Sequence, residues 1–535
     1  MSKDNFLKGA AILGIAGAIV KILGAFYRIP LNNILGSEGI GYYQTAYPLY
    51  VLLLTISTAG FPVAIAKLVS EKRAIGNHKA AHKAFKVAFL GMLIAGILTS
   101  VFVFTNAKNI VTKWENPDAY YALIALVPAL FFVPIMSAFR GYFQGRQTMT
   151  PTALSQIIEQ LFRVIAGLML TYYLLDMGLP IAAGGASFGG SIGAFAGALA
   201  MTIIYLSKRG EIKKEVETSI GEEESVEKIV KDLLIIAIPI TIGAAIVPIM
   251  NSIDAFLVFR RLESVGFSKT EANSLFGQLT GHAQTLINLP LIFSTALSIS
   301  LVPTISMAHT KKNYGEIREA ASSSMRITLL IGLPAAFGLF ILAEPIIGLL
   351  YYKLSPAEII NTGKILSILS FGVIFLTLVQ SLTATLQGLG RPVVPVANLA
   401  VGAFVKVVLT YILTGIRSVN VKGAALSTVV AYFIAAILDL IAVKKYTRVK
   451  LNKIEVFIKP LISALGMALA AKFLYLGLLG IVGSKLATVI AIIIAAIVYF
   501  ILLLLTGSLN YEDVVLLTNG EKIAKKLNKL GILKK

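Results

Sequence analysis

The sequence predicts an all-α polytopic membrane protein with about 14 transmembrane helices: two six-helix lobes related by an internal repeat, plus two C-terminal helices. Three observations predict it. First, 57% of the 535 residues are hydrophobic and 14% are charged, against about 25% charged in a soluble domain. A soluble core cannot hide that much apolar surface. Second, apolar stretches recur along the whole chain, each of about 20 residues or more, enough to cross a hydrocarbon core of about 30 Å. Third, the 48 Lys and Arg concentrate on one side of the resulting alternation, the side of both chain ends and every second loop. The positive-inside rule then places both termini in the cytoplasm. The net charge of +21 therefore reads as cytoplasmic loops rather than nucleic-acid binding. The sequence has no cysteine, which excludes disulfides, thiolate nucleophiles and cysteine-ligated metals. It has no G-x-x-x-x-G-K-[ST], so ATP hydrolysis is excluded. No enzymatic activity and no metal site are expected.

The first span, approximately 7–35, sets the chemistry. Lys3 and Lys8 precede an apolar run too long for a signal-peptide core, so the helix is expected to be retained. Within it Lys21 and Arg28 are seven residues apart, two helical turns, and share one face. A cation near the bilayer centre costs at least about 2.5–3.5 kcal/mol. The helix is therefore expected to line an internal cavity and present positive charge to an anion. The plainer alternative is that Arg28 snorkels to the surface and Lys21 meets a neighbouring carboxylate.

Spans two to six run approximately 40–69, 84–107, 119–143, 150–176 and 180–206. In the fifth, Glu159 and Arg163 are four residues apart and can neutralise each other; Arg163 is otherwise available to a substrate. The sixth contains AAGGASFGGSIGAFAGA from Ala182, small residues at helical spacing that predict close packing on another helix. The polar segment 207–231 follows as a cytoplasmic linker. Spans seven to twelve run approximately 232–260, 277–309, 322–351, 360–388, 392–416 and 420–443. Asp254 and Asn251 share a face of the seventh and could hold Na⁺ or a proton, with Asn398 on the eleventh as a further oxygen; the alternative is that Asp254 meets the external face near Arg260. His282 lies among Gln278, Thr280, Gln284, Thr285 and Asn288, which reads either as a wet cavity wall that contacts substrate or as a hydrogen-bonded structural histidine. Arg326, Glu344, Lys364 and Asp439 lie near span ends, and most of them are expected to reach an interface. Spans thirteen and fourteen run approximately 455–479 and 484–507, and residues 508–535 read as a basic amphipathic helix on the membrane surface.

The repeat is visible around spans four to five and ten to eleven. Gln144-Gly145 answers Gln387-Gly388, Pro151 answers Pro395 with a one-residue gap, and Arg163 answers Lys406. The expected organisation is therefore an N-terminal lobe over 1–206, the linker over 207–231, a C-terminal lobe over 232–446, two further helices over 447–507 and the tail over 508–535. Repeated lobes flanking a site are a common basis of alternating access.

The stretches VKILGAFYRIP (20–30), YPLYVLLLTISTAGFPVAIAKLVSE (47–71), VPIMSAFRGYFQGRQTMTPTALSQIIEQLFRVI (133–165) and MRITLLIGLPAAFGLFILAEPIIGLLYY (325–352) carry a resemblance. They resemble the multidrug/oligosaccharidyl-lipid/polysaccharide exporter superfamily. Within it the chain is similar to the MurJ-type lipid II flippases, and to their Gram-positive branch that includes the stage V sporulation protein B type. The resemblance implies a cationic central cavity for the pyrophosphate of an undecaprenyl-linked sugar, and a groove for the lipid tail formed by the last two helices. Lys21 falls on the first-helix arginine of the family's S-R-x-L-G pattern, keeping the charge but losing the fork geometry. The family's other charged positions fall on or near Tyr27, Thr55, Thr285 and Asn288, so other cations must serve; Arg140, Arg146, Arg163 and Lys406 are available.

The expected function is thus outward flipping of a lipid II-like cell-wall or spore-cortex precursor at the plasma membrane by a monomer. Lys21, Arg28, Arg163, Lys406 and His282 are the expected substrate-binding residues, and Na⁺ or H⁺ at Asp254, Asn251 and Asn398 is the conceivable coupling ion. The alternatives are a cation-coupled multidrug exporter and a non-transporting scaffold. A drug exporter for cations should line its cavity with carboxylates, whereas the deep charges of the first lobe are mainly positive.

Overall fold

A computed structural model describes residues 3–221, 224–449 and 451–508. The expected amphipathic tail lies outside these residues except for Ser508. Among the described residues the secondary structure is helical throughout, and twelve helices are long and apolar enough to cross a membrane. Two of them are double. The helix α1 (Lys3–Thr58) breaks at Gly36, whose φ of 64° and ψ of −174° are non-helical. The last helix (Lys459–Thr506) breaks in the same way at Gly483, with φ 76° and ψ 163°. Only glycine adopts such positive φ without strain, so each long apolar run divides where glycine permits. The expected count of about fourteen treats these halves as separate spans.

The chain divides into two compact units, Met1–Gly277 and Gln278–Lys535. This boundary differs from the lobe boundaries expected from the sequence, because residues 232–277 pack with the first unit. Unit one contains α1, α2 (Phe61–Ala74), α3 (His78–Lys113), α4 (Tyr120–Ile124), α5 (Val127–Gly145), α6 (Thr150–Tyr173), α7 (Leu179–Ser207), α8 (Arg209–Glu217), α9 (Val226–Ser264) and α10 (Lys269–Gly277). The helix α9, expected to open the second lobe, packs on α1 and α2. The short α10 packs on the C-terminal half of the kinked α1: Asn273 Nδ2 donates to the Glu38 carbonyl at 2.6 Å, and Asn116 Nδ2 donates to Asn273 Oδ1 at 3.0 Å and to Thr45 Oγ1 at 2.9 Å.

The glycine-rich face of α7 behaves as its composition predicts. A Cβ on Gly193 would overlap the Glu159 carbonyl, and one on Gly189 would overlap the backbone of Gly167. The two helices therefore touch backbone to backbone, and the close approach fixes the part of α6 that carries Glu159 and Arg163.

The segment expected to be a linker is folded onto unit one. In α8, Ile212 is buried, Glu215 accepts from Arg73 at 2.5 Å and from Arg146 at 2.7 Å, and Glu211 accepts from Arg146 at 3.0 Å. Lys72 and Glu224 form a further ion pair, and the Ile220 amide donates to the Gly76 carbonyl at 3.2 Å. The polar composition marked a linker because α8 buries charge against charge rather than an apolar stripe.

Unit two contains α11 (Gln284–Ile287), α12 (Leu291–Thr310), α13 (Tyr314–Ile341), α14 (Ala343–Leu350), α15 (Pro356–Gly388), α16 (Val393–Thr414), α17 (Val421–Thr447) and α18 (Lys459–Thr506). Span eight is not one helix. A π-helical turn over Gln278–Ala283 leads into α11, and the helix stops before Pro290, where proline removes a backbone donor. α16 and α17 pack as closely as α6 and α7 do, with Gly402 against the Ala431 carbonyl. α18 packs on α13 and α14, and Tyr499 donates to the Leu330 carbonyl at 2.8 Å.

Two tests follow from this architecture. Single cysteines at Lys213 and Lys312 should be shielded from an impermeant thiol reagent in intact cells, and those at Asp176 and Lys353 should react; all four positions are exposed. Labelling at Lys213 from outside contradicts the topology. The second test concerns Glu215. Burial alone would raise its pKa, but the hydrogen bonds and charges of Arg73 and Arg146 hold it down at about 2. A depressed carboxylate contributes stability that is complete above its ordinary value near 4.5 and is lost as pH falls through about 2. Glu215→Gln should therefore lower the melting temperature of the purified protein, and by the same amount at pH 7.5 and at pH 5. A difference that fades by pH 5 contradicts the arrangement.

Candidate functional site

The charged interior of unit one is built on α6. Glu159 accepts from Arg163 Nη2 at 3.2 Å, one turn away, and from Arg140 Nη2 of α5 at 3.0 Å. Arg140 Nε also donates to Ser155 Oγ at 2.8 Å. The side chains of all three charged residues are at most one-fifth exposed. One carboxylate thus sits between two guanidinium groups, and the cluster retains one net positive charge. The spacing on α6 announced the Glu159–Arg163 pair; the contribution of Arg140 comes from a different helix and has no sequence signature.

Arg163 also lines a cavity of about 10 Å³ with Tyr43, Tyr47, Tyr50, Ser187 and Gly190, room for about one water. The tyrosines stand at i, i+4 and i+7 on the C-terminal half of α1. The rings of Tyr43 and Tyr47 stack at 5.4 Å, and those of Tyr47 and Tyr50 meet at 5.9 Å. Among the described residues, Arg163 Nε, Ser187 Oγ and Tyr50 OH find no hydrogen-bond partner. Buried polar atoms of this kind are few in native proteins. Three around one small cavity mark a polar chamber inside an otherwise apolar bundle. Sequence reasoning missed the tyrosines, because an aromatic row at helical spacing reads equally well as packing.

Lys21 and Arg28 lie on the N-terminal half of α1, on one flank with Gly14, Gly17 and Gly24. Lys21 is exposed and Arg28 is half-buried. A Cβ on Gly14 or Gly17 would meet nothing within 4 Å, and one on Gly24 would meet Gln160 Nε2 of α6 at 3.4 Å. The flank therefore opens on free space beside α6, next to the residue that follows Glu159. Tyr27 is buried and donates to the Ala186 carbonyl at 3.0 Å.

The other expected residues fall elsewhere. Arg146 is committed to Glu211 and Glu215 of α8. Asp254 and Asn251 are partly exposed on α9 in unit one. Asn398 belongs to unit two, where its Nδ2 donates to Asp439 at 2.8 Å; Thr383 completes the group at 3.4 Å. Asp439, expected near an interface, is fully buried in α17, and both of its partners among the described residues are neutral. Arg326, also expected at an interface, is buried in α13 and faces Glu455 at 3.7 Å. In both cases the span runs further than the apolar run suggested, so a residue near its apparent end lies inside. Lys406, the counterpart of Arg163, is buried on α16. His282 is enclosed, its ring 4.6 Å edge-on from Tyr351, whose hydroxyl donates to the His282 carbonyl at 3.3 Å. A cleft of about 520 Å³ lined by Leu440, Lys444, Leu451, Lys453 and Phe457 opens where α17 hands over to α18.

The broken membrane helices and the charged interior of unit one define a polytopic helical membrane protein. The fold matches the solved lipid II flippase MurJ in its inward closed conformation with a TM-score of 0.70, at 18% identity, over 92% of this chain and 98% of that one. The family model described as "Polysaccharide biosynthesis protein" matches residues 6–309, and the model described as MatE matches residues 280–412. The chain belongs to the polysaccharide biosynthesis protein family. Two Bacillus subtilis relatives illustrate it. The stage V sporulation protein B is 30% identical over 83% of this chain and 85% of its own length. The lipid II flippase MurJ is 29% identical over 83% of each.

Glu159→Gln leaves two guanidinium groups facing a neutral amide. Removing one partner of a buried ion pair costs about 3–5 kcal/mol, so the variant should melt at clearly lower temperature than the parent. An unchanged melting temperature contradicts the shared-carboxylate geometry.

Proposed function

We propose that this protein is a flippase that moves an undecaprenyl-pyrophosphate-linked sugar, a lipid II-like precursor of cell wall or spore cortex, outward across the plasma membrane by alternating access. The observation that carries this reading is the sign of the charge on the open flank of α1 and on the adjoining α6. Lys21 and Arg28 border free space beside Gly14 and Gly17, and the neighbouring cluster keeps a net positive charge around Arg163. Such a wall suits a pyrophosphate and disfavours a cationic drug. The names of the two relatives and the matched fold point the same way. Lys406 and His282 belong to this proposal as substrate contacts only in a conformation that opens their surroundings, since both are enclosed here.

Translocation is non-catalytic, and the membrane potential supplies the drive. A pyrophosphate-linked lipid carries about two negative charges, and each is worth about 2.3 kcal/mol per 100 mV. A negative interior pushes the anion outward and returns the protein's cations inward. One observation favours an added coupling ion: Asp439, buried with Asn398 and Thr383, has the oxygen chemistry to hold Na⁺ or a proton, with Asp254 and Asn251 as candidates in the other unit. That reading also keeps a cation-coupled exporter as the alternative function.

Mass spectrometry of lipid extracted with the purified protein tests the substrate class. A polyprenyl-pyrophosphate sugar is expected with the parent chain and with Lys21→Arg, and is expected to be depleted at least about tenfold in Lys21→Ala. An equal yield from Lys21→Ala removes Lys21 from the site.

A further inference from the structure

Unit one carries a second basic recess, remote in function from the α1–α6 cluster. A cleft of about 380 Å³ opens between the first turns of α3, the last turn of α7 and α8, lined by His82, Lys86, Tyr205, Arg209, Ile212 and Lys213. Lys213 has Glu217 at 3.7 Å. Among the described residues, neither Lys86 nor Arg209 has a carboxylate within ion-pair distance. Two uncompensated cations thus face one recess. Two aromatic rings line it: His82 and Tyr205 stack at 6.4 Å, and Tyr205 is backed by Phe85 at 5.6 Å and Phe139 at 5.2 Å.

The cleft lies at helix ends, where a membrane's headgroup layer meets its hydrocarbon. From Lys86 one helical face continues through Leu90 and Ile94 of α3, and the face of α7 that ends at Leu206 carries Ile203 and Leu199. All five apolar residues are exposed, Leu90, Ile203 and Leu206 by more than half. Positive charge above and exposed aliphatic rows below match one molecule with an anionic head and hydrocarbon tails; basic pockets between membrane helices take such headgroups. A free phosphate would use the cations and leave the aliphatic rows without a role.

We propose that this cleft binds the phosphate headgroup of an anionic membrane phospholipid, its acyl chains running along the exposed rows of α3 and α7, and that occupancy holds α8 on unit one. The connection to α8 is direct. Arg209, Ile212 and Lys213 of α8 form one wall of the cleft. Behind it, His82 Nδ1 lies 3.3 Å from Tyr142 OH, Arg146 Nη1 donates to the same hydroxyl at 3.4 Å, and Arg146 pairs with Glu215 of α8 at 2.7 Å. A bound phosphate neutralises the repulsion among the three cations and ties α8 to α3 across the recess.

The test uses the full chain, purified and delipidated in detergent, with phosphatidylglycerol, phosphatidylcholine and inorganic phosphate as probes, read by native mass spectrometry and thermal melting. Phosphatidylglycerol should bind and raise the melting temperature; phosphatidylcholine should do neither. Lys86→Gln/Arg209→Gln should weaken phosphatidylglycerol binding at least about tenfold, and Lys86→Arg/Arg209→Lys should retain it. Lys86→Gln alone, at an exposed position that the fold does not use, should show a smaller loss in the same direction. Equal binding of the two lipids overturns the proposal, as does undiminished binding in the double glutamine variant. Stabilisation by inorganic phosphate equal to that by phosphatidylglycerol, with displacement of the lipid, makes the cleft a free-phosphate site and overturns the lipid assignment. Loss of lipid here with substrate lipid still extracted from the α1–α6 site separates this failure from failure of the flippase reading.

Discussion

A charged side chain within a bilayer must face an opposite charge, water or a substrate, and in unit one this constraint converges on Glu159. Its two oxygens hold Arg140 and Arg163 from different helices. Removing either contact leaves a guanidinium group in apolar surroundings, which costs several kcal/mol. Packing serves that arrangement. α7 lies against α6 backbone to backbone through Gly189 and Gly193, which leaves Arg163 the space to reach both Glu159 and the tyrosine-lined chamber. The glycine face and the charge cluster are therefore two parts of one structural solution: Gly190, Gly193 and Gly197 of α7 lie directly against Arg163 and Glu159, and their lack of side chains gives the buried charges room.

Much of the fold was legible in the sequence because a bilayer imposes length and polarity together. Apolar runs and the small-residue face of α7 map onto helices that form. The break in α1 was legible as the gap between spans ending near 35 and starting near 40; that Gly36 is the residue that leaves the helical region was not, because glycines are plentiful in these spans. The fold of α8 escaped for the opposite reason. Its stability comes from Glu215 and Glu211 meeting Arg73 at the end of α2 and Arg146 at the end of α5, and no local periodicity reports such pairs.

The candidate site was half legible. Lys21 and Arg28 declare themselves by charge within an apolar span, and Glu159 with Arg163 by their spacing. Arg140, the tyrosine row and the buried group of Asp439, Asn398 and Thr383 are products of packing between helices. Asp439 is instructive: its distance from the end of the apolar run suggested an interface, yet α17 continues to Thr447 and buries it. The internal repeat is chemically uneven as well. Arg163 shares a carboxylate, whereas its counterpart Lys406 sits in a unit whose deeply buried carboxylate, Asp439, is held by neutral groups.

The central claim is that the charged interior carries a polyprenyl-pyrophosphate headgroup across the membrane. Reconstitution into vesicles with a fluorescent undecaprenyl-pyrophosphoryl sugar, read by a membrane-impermeant quencher under an imposed potential, tests it most directly. The account predicts protein-dependent loss of protected fluorescence that rises with the potential and disappears in Arg163→Ala. Headgroups that stay protected at every potential, while a cationic drug moves through the same vesicles, would contradict it.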